Sequence, residues 1–211
     1  MSKGTTPDAV LAFTGPTTEY LCPLSANKYG IEFLDFEVKD YDSGKSLFKV
    51  SKDPDAPPLP ADIDPELEDQ IRTIRYTFPP EFLSFQTVRT SLMFGVGPAE
   101  VPSFRMIERH YFKDKLLRSY DFTFGFCIPN STNSWEAIYP MPNQSKDDIQ
   151  EMVRRIPSTP FLPRPLLAAL VLRRWLLQAK LPYGHKSDSF YFVGDELVMH
   201  NKAEYAYATP E

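Results

Sequence analysis

Cysteine is scarce in this chain: only Cys22 and Cys127 occur, far apart, with no Cys-x-x-Cys pair and no cysteine/histidine set at zinc spacing. A disulfide framework and a structural metal site are therefore not expected, and a reduced, cytoplasmic compartment is. Glycine is also sparse, 9 residues against 21 prolines, so turns are punctuated mainly by proline. No long basic tract exists and the net charge is −5, which argues against a nucleic-acid partner. The N-terminus has neither a signal-type apolar run nor a Met-Gly start, so neither export nor myristoylation of this chain is expected. Nucleophile elbow, P-loop and dinucleotide fingerprint are all missing. No enzyme, cofactor or metal is expected.

What the sequence does contain is 14% aromatic residues in 211 positions, enough for one sizeable β-rich domain. Residues 1–28 are polar and turn-rich and read as mostly flexible. Residues 29–211 read as one β-sandwich domain. Within it, YGIEFLDFEV (29–38) opens the first strand, and its apolar parity switches between Phe33 and Leu34, the mark of a bulge or of a strand buried on both faces. Residues 46–50 form the next strand, and 52–68, rich in proline and acids, an extended surface loop. Alternation returns at Ile74, Tyr76 and Phe78, then through Val88, Leu92, Phe94 and Val96. A short helix is expected after Ser145, which precedes two early acids and apolar Ile149, Met152 and Val153. Strands at 189–193 and 196–200 flank Gly194-Asp195. Many short strands with one short helix indicate an all-β fold, an immunoglobulin-like antiparallel β-sandwich.

Two neighbouring strands point to function. In YDFTFGFC (120–127), Tyr120, Phe122, Phe124 and Phe126 alternate, which directs four rings to one face of an extended strand. Stacked rings are hard to close around without leaving a hollow. In FRMIERHYF (104–112), alternate positions place Glu108 and His110 in a stripe with Phe104, Met106 and Phe112. A carboxylate there needs hydrogen-bond donors, and a ligand with an amide head and an apolar tail would supply them. With no activated serine or cysteine beside them, and side chains two apart on a strand roughly 7 Å from each other, Glu108 and His110 do not read as an acid/base pair.

The segments RMIERHYFKDKLLRSYDFTFGFCIPNS, IRYTFPPEF and SDSFYFVGDELVMHNKAEYAY closely resemble the uncoordinated-119 (retinal gene 4) family of acyl-binding chaperones, relatives of the prenyl-binding delta subunit of cGMP phosphodiesterase. The resemblance implies a lipid-binding cavity between the two sheets. It also implies solubilisation of N-myristoylated proteins such as G-protein alpha subunits, Src-type kinases and ciliary proteins, with release by an Arf-like small GTPase in its GTP form. Carried over, the aromatic lining includes Phe36, Tyr76, Phe82, Tyr120, Tyr191 and Tyr205, joined by Phe122 and Phe124 from the alternating strand. Glu108, with Tyr76, meets the first peptide groups of the cargo. The implied location is the cytoplasm and the cilium, with peripheral membrane contact at most. A prenyl-binding solubiliser and a lipid-free GTPase-binding scaffold are the rival readings.

Three departures stand out. Ala137 stands where the family usually has histidine, and Met141 where it has phenylalanine. Residues 155–180 have no counterpart, and they carry Arg155, Arg164, Arg173, Arg174 and Lys180 with no acid. Their LLAALVLRRWLLQAK stretch favours helix but is too short and too charged to span a bilayer. They read as an insertion, either an interfacial helix or translated intron.

Overall fold

The computed structural model describes residues 4–55, 63–153 and 184–208. The expected foreign segment lies outside them. Among the described residues, nine strands form two sheets. β1 (Glu32–Asp40), β2 (Ser46–Ser51), β4 (Thr87–Gly95) and β7 (Thr132–Pro140) make a four-stranded antiparallel sheet in the order β2-β1-β4-β7. β3 (Thr73–Phe78), β5 (Val101–Phe112), β6 (Lys115–Cys127), β8 (His185–Val193) and β9 (Glu196–Tyr207) make a five-stranded sheet in the order β3-β9-β8-β5-β6. The expected all-β sandwich is thus observed, with one parallel pair, β3 beside β9. Rings meet across the sandwich at both edges: Phe48 lies 4.8 Å from Tyr76, and Phe122 lies 4.6 Å from Trp135.

Local sequence explains the irregularities. The parity switch in β1 is a bulge, because the pairing with β4 slips between Phe33 and Asp35. A second slip falls in the aromatic strand. Gly125 takes φ +82, where a side chain would be strained, and the β5 pairing shifts beside it. Tyr120, Phe122 and Phe124 face inward, but beyond the bulge Cys127 takes the inward position and Phe126 is 56% exposed. The expected row of four rings is a row of three.

Residues 65–72, expected partly as extended loop, form a helix, α2 (Pro65–Arg72), with proline at its first turn, where no backbone donor is needed. Buried Arg72 anchors it by donating to the His200 carbonyl at 3.1 and 2.7 Å and pairing with Glu68 at 2.6 Å. The helix after Ser145 is present as α3 (Lys146–Met152), capped by the Ser145 hydroxyl, which accepts from the Asp148 amide.

The N-terminal stretch, expected to be mostly flexible, is anchored on the sheet by buried or half-buried side chains, Val10, Phe13, Thr17 and Leu21 among them. It carries a helical turn, α1 (Pro7–Leu11), whose Val10 is fully buried with Ile107, Phe190 and Phe192 on the outer face of the five-stranded sheet. Beyond α1, the Thr17 amide and hydroxyl both donate to Asp188, and the Leu21 amide donates to His200 Nδ1. The outward face of β5 and β8 carries apolar Ile107, Phe190 and Phe192 beside buried Arg109 and Asp188; it needs a cover, which this segment supplies.

Candidate functional site

Three apolar clusters form, and they differ in closure. The outer one, under the N-terminal segment, holds Ile107, Phe190 and Phe192 at 0% exposure. Between the sheets, one cluster gathers at one end around Phe94, Val101, Phe104 and Tyr191, and another at the opposite end around Tyr76, Phe78, Phe82 and Tyr207. Phe36 packs against both. Several inward rings, Phe36, Phe122, Phe124, Trp135, Tyr139 and Tyr205, are only partly buried. A tightly closed sandwich would bury them most; here Val101, Phe104 and Val198 are fully buried between the sheets while these rings are not.

A polar belt lies between the two inner clusters. Adjacent β5 and β6 present a block of four inward side chains, since Glu108 pairs with Tyr120 in the ladder and His110 with Arg118. The tips of Glu108 and His110 meet, with Glu108 Oε1 3.2 Å from His110 Nε2, because two long side chains lean together across a backbone repeat of about 7 Å. His110 Nδ1 lies 3.1 Å from His185 Nε2, and His185 Nδ1 lies 2.5 Å from the Tyr207 hydroxyl. Ser187 also bonds Glu108 and lies 3.0 Å from the Tyr205 hydroxyl.

The protonation of this chain follows from its ends. Burial would raise the Glu108 carboxyl, but His110, Arg118 and Ser187 outweigh it and hold the group below the usual glutamate range. An ionised carboxylate only accepts, so His110 Nε2 donates to it. His110 Nδ1 then accepts from His185 Nε2–H, and His185 Nδ1 accepts from the Tyr207 hydroxyl. Every bond has one donor and one acceptor with both imidazoles neutral. Burial lowers His110 and lowers His185 strongly, and Arg118 adds to both shifts. Glu108 keeps 22% of its side-chain surface accessible, so one face of the carboxylate is free to receive a further donor.

The expected residues fall into three groups. Tyr76, Phe82 and Tyr205 stack toward one end: Tyr76 lies 5.3 Å from Tyr205, and Phe82 lies 4.3 Å from Phe78. Phe122, Phe124 and Tyr191 belong to the other end, with Phe124 4.9 Å from Phe104 and Tyr191 5.0 Å from Phe33. Tyr120 stands in the belt with Glu108, 4.6 Å from the Tyr139 ring. Burial and the charge of Glu108 both raise the Tyr76 hydroxyl above its ordinary range, so it stays protonated and able to donate. Phe82 is not on a strand but in a 3-10 turn, Pro80–Ser84.

Sequence reading missed Arg118, His185, Ser187, Trp135 and Tyr139. Arg118 shares the parity of Tyr120 and Phe122, a signal obscured by its charge. His185 and Ser187 share the parity of Tyr191 but precede the strand start expected at residue 189. Two surface hollows lie elsewhere, one on the four-stranded sheet lined by Asp35, Ser91, Met93, Ser134 and Glu136, the other by Tyr20, Leu21, Cys22 and Glu68. Among the described residues no histidine, cysteine and carboxylate cluster could hold a metal, and both cysteines are free.

The chain is similar to known proteins over nearly its full length. The family described as "GMP-PDE, delta subunit" matches residues 25–159 and 175–207, passing over 160–174 inside the stretch expected to be foreign. Protein unc-119 homolog B of Danio rerio is 40% identical over 214 residues, covering 98% of this chain and 75% of that protein. Protein unc-119 of Caenorhabditis briggsae is 41% identical over 202 residues, covering 96% and 79%. Protein unc-119 homolog B of Homo sapiens is 39% identical over 209 residues, covering 95% and 71%.

Proposed function

Because the chain belongs to the unc-119 proteins of the GMP-PDE delta-subunit family, we propose that it solubilises N-myristoylated proteins by holding the acyl chain between its sheets and the first peptide groups at Glu108. The family consists of binding and transport proteins rather than enzymes, and a lipid-binding, chaperone-type role follows from membership. One observation supports the finer reading: an ionised carboxylate, still accessible, stands among inward rings between two apolar clusters.

Burying a myristoyl chain removes about a dozen methylenes from water, a gross gain on the order of 10 kcal/mol at ~0.8 kcal/mol each. A bilayer offers the same chain a similar refuge, so extraction needs contacts that hydrocarbon lacks. Glu108 supplies one by accepting a peptide N–H, and the Tyr76 hydroxyl stands ready to donate. The inner rings must part as the chain enters, and their incomplete burial makes that inexpensive. The cargo class is N-myristoylated proteins, among them G-protein alpha subunits, Src-type kinases and ciliary proteins. An Arf-like small GTPase in its GTP form releases them, in the cytoplasm or at the cilium. By linkage, cargo must then weaken GTPase binding by the same factor. No helix among the described residues is long and apolar enough to cross a membrane.

A transfer assay with dansyl-labelled myristoylated and prenylated peptides on liposomes tests this reading. Extraction of the acyl peptide is expected. Preference for the prenyl peptide would move the chain to the prenyl-binding class, and extraction of neither would leave a lipid-free GTPase-binding scaffold.

A further inference from the structure

Two buried donors in the belt have no acceptor among the described residues: Arg118 Nε and the Tyr120 hydroxyl. They sit two positions apart on the inward face of β6, opposite His110 and Glu108. Arg118 lies 5.2 Å from the Tyr120 ring and 6.0 Å from that of Tyr139. Its Nη1 donates to the Met141 sulfur at 3.1 Å, and a thioether is a weak acceptor. Arg118 is half-buried, but its Nε is shut off from solvent and under-satisfied, and burying such a donor without an acceptor is costly.

We propose that Arg118 and the Tyr120 hydroxyl form the donor half of the head-group site and bind the carbonyl oxygen of the acyl amide. The inference rests on the acyl-chaperone reading. An amide presents an N–H on one side and a C=O on the other. The belt matches both, with the Glu108 carboxylate on β5 for the N–H and the two orphaned donors on β6 for the oxygen. The carboxylate does not serve as their acceptor, since neither donor makes a hydrogen bond to it. The site therefore recognises the linkage between chain and peptide, which hydrocarbon alone does not identify.

The test is a chemical double-mutant cycle using a myristoyl-glycyl peptide and its thioamide analogue, whose sulfur is a poorer acceptor while its N–H remains a donor. In wild-type protein the exchange of oxygen for sulfur should weaken binding about tenfold. In Tyr120→Phe, which keeps the ring and removes only an unpartnered hydroxyl, the exchange should cost severalfold less. In Arg118→Met with Tyr120→Phe it should cost nothing. An equal penalty in wild type and in Tyr120→Phe overturns the proposal for Tyr120, and an equal penalty in the double variant overturns it altogether. Wild-type protein that binds neither peptide overturns the acyl-chaperone reading as well, so the two failures are distinguishable. Should the double variant not fold, Arg118→Lys with Tyr120→Phe replaces it, and a penalty undiminished there counts against the proposal.

Discussion

On the proposed reading, Glu108 is the residue that distinguishes a peptide-linked acyl chain from a free one. A charged acceptor bond is worth about 1.5–3 kcal/mol, so Glu108→Gln should weaken a myristoylated peptide roughly ten- to a hundredfold. A free fatty acid should bind it equally well or better, because the repulsion between carboxylates is removed. Titration of both ligands checks this, and equal weakening of the two would make Glu108 a structural residue. The histidines give a second expectation. All three in the chain are buried, and burial lowers each below its ordinary range. The unfolded chain therefore takes up protons as pH falls below about 6.5 while the native state does not, and stability declines there by up to about 1.4 kcal/mol per pH unit for each histidine. The lowered Glu108 carboxyl acts only further into acid, below the ordinary glutamate range. Urea denaturation at pH 7.5 and 5.5 should show the loss, and His185→Gln should shrink it. Alternation alone made Glu108, His110 and Tyr120 legible as inward residues. Their hydrogen-bond partners His185 and Ser187 were not, because they come from a strand that is distant in sequence and brought alongside only by the sheet order.

Among the elements, β5 and β8 have two working faces. Phe190 points outward under the N-terminal segment, 5.9 Å from Phe13, while Phe122 on β6 points inward against Trp135. Phe190→Ala should cost about 3–5 kcal/mol of stability and leave the acyl affinity of folded protein unchanged. Phe122→Ala, removing a partly buried ring, should cost less stability and alter acyl affinity. Thermal melts paired with peptide titrations separate the two, and an affinity loss in Phe190→Ala matching that of Phe122→Ala would erase the distinction between faces. The strands were legible from alternation and the α3 helix from its serine cap. The packed N-terminal segment was not, because its polar, turn-rich composition conceals that Val10, Phe13 and Leu21 meet apolar residues on the far side of a sheet. Phe126 was misplaced for a related reason: a row of alternate rings assumes unbroken pleat, and Gly125 breaks it.

At the scale of the whole molecule, the family match passes over part of residues 155–180, so deletion of that segment should preserve both folding and acyl binding. A large fall in melting temperature, or lost cargo, would show that its leucines pack into the domain. The larger question is where the lipid lies. The space between the sheets competes with the hollow on the outer face of the four-stranded sheet, lined by Asp35, Ser91, Met93 and Ser134. A myristoyl-glycyl peptide carrying a diazirine at the end of its acyl chain, photolysed in complex with the full-length chain and mapped by mass spectrometry, decides between them. Labelling should fall on inward residues, Phe122, Phe124 and Tyr191 or Phe36 and Phe82, and be lost when unlabelled myristoyl peptide is added in excess. Labelling concentrated on Ser91, Met93 and Ser134 would place the acyl chain on the outer surface and contradict a cargo site between the sheets.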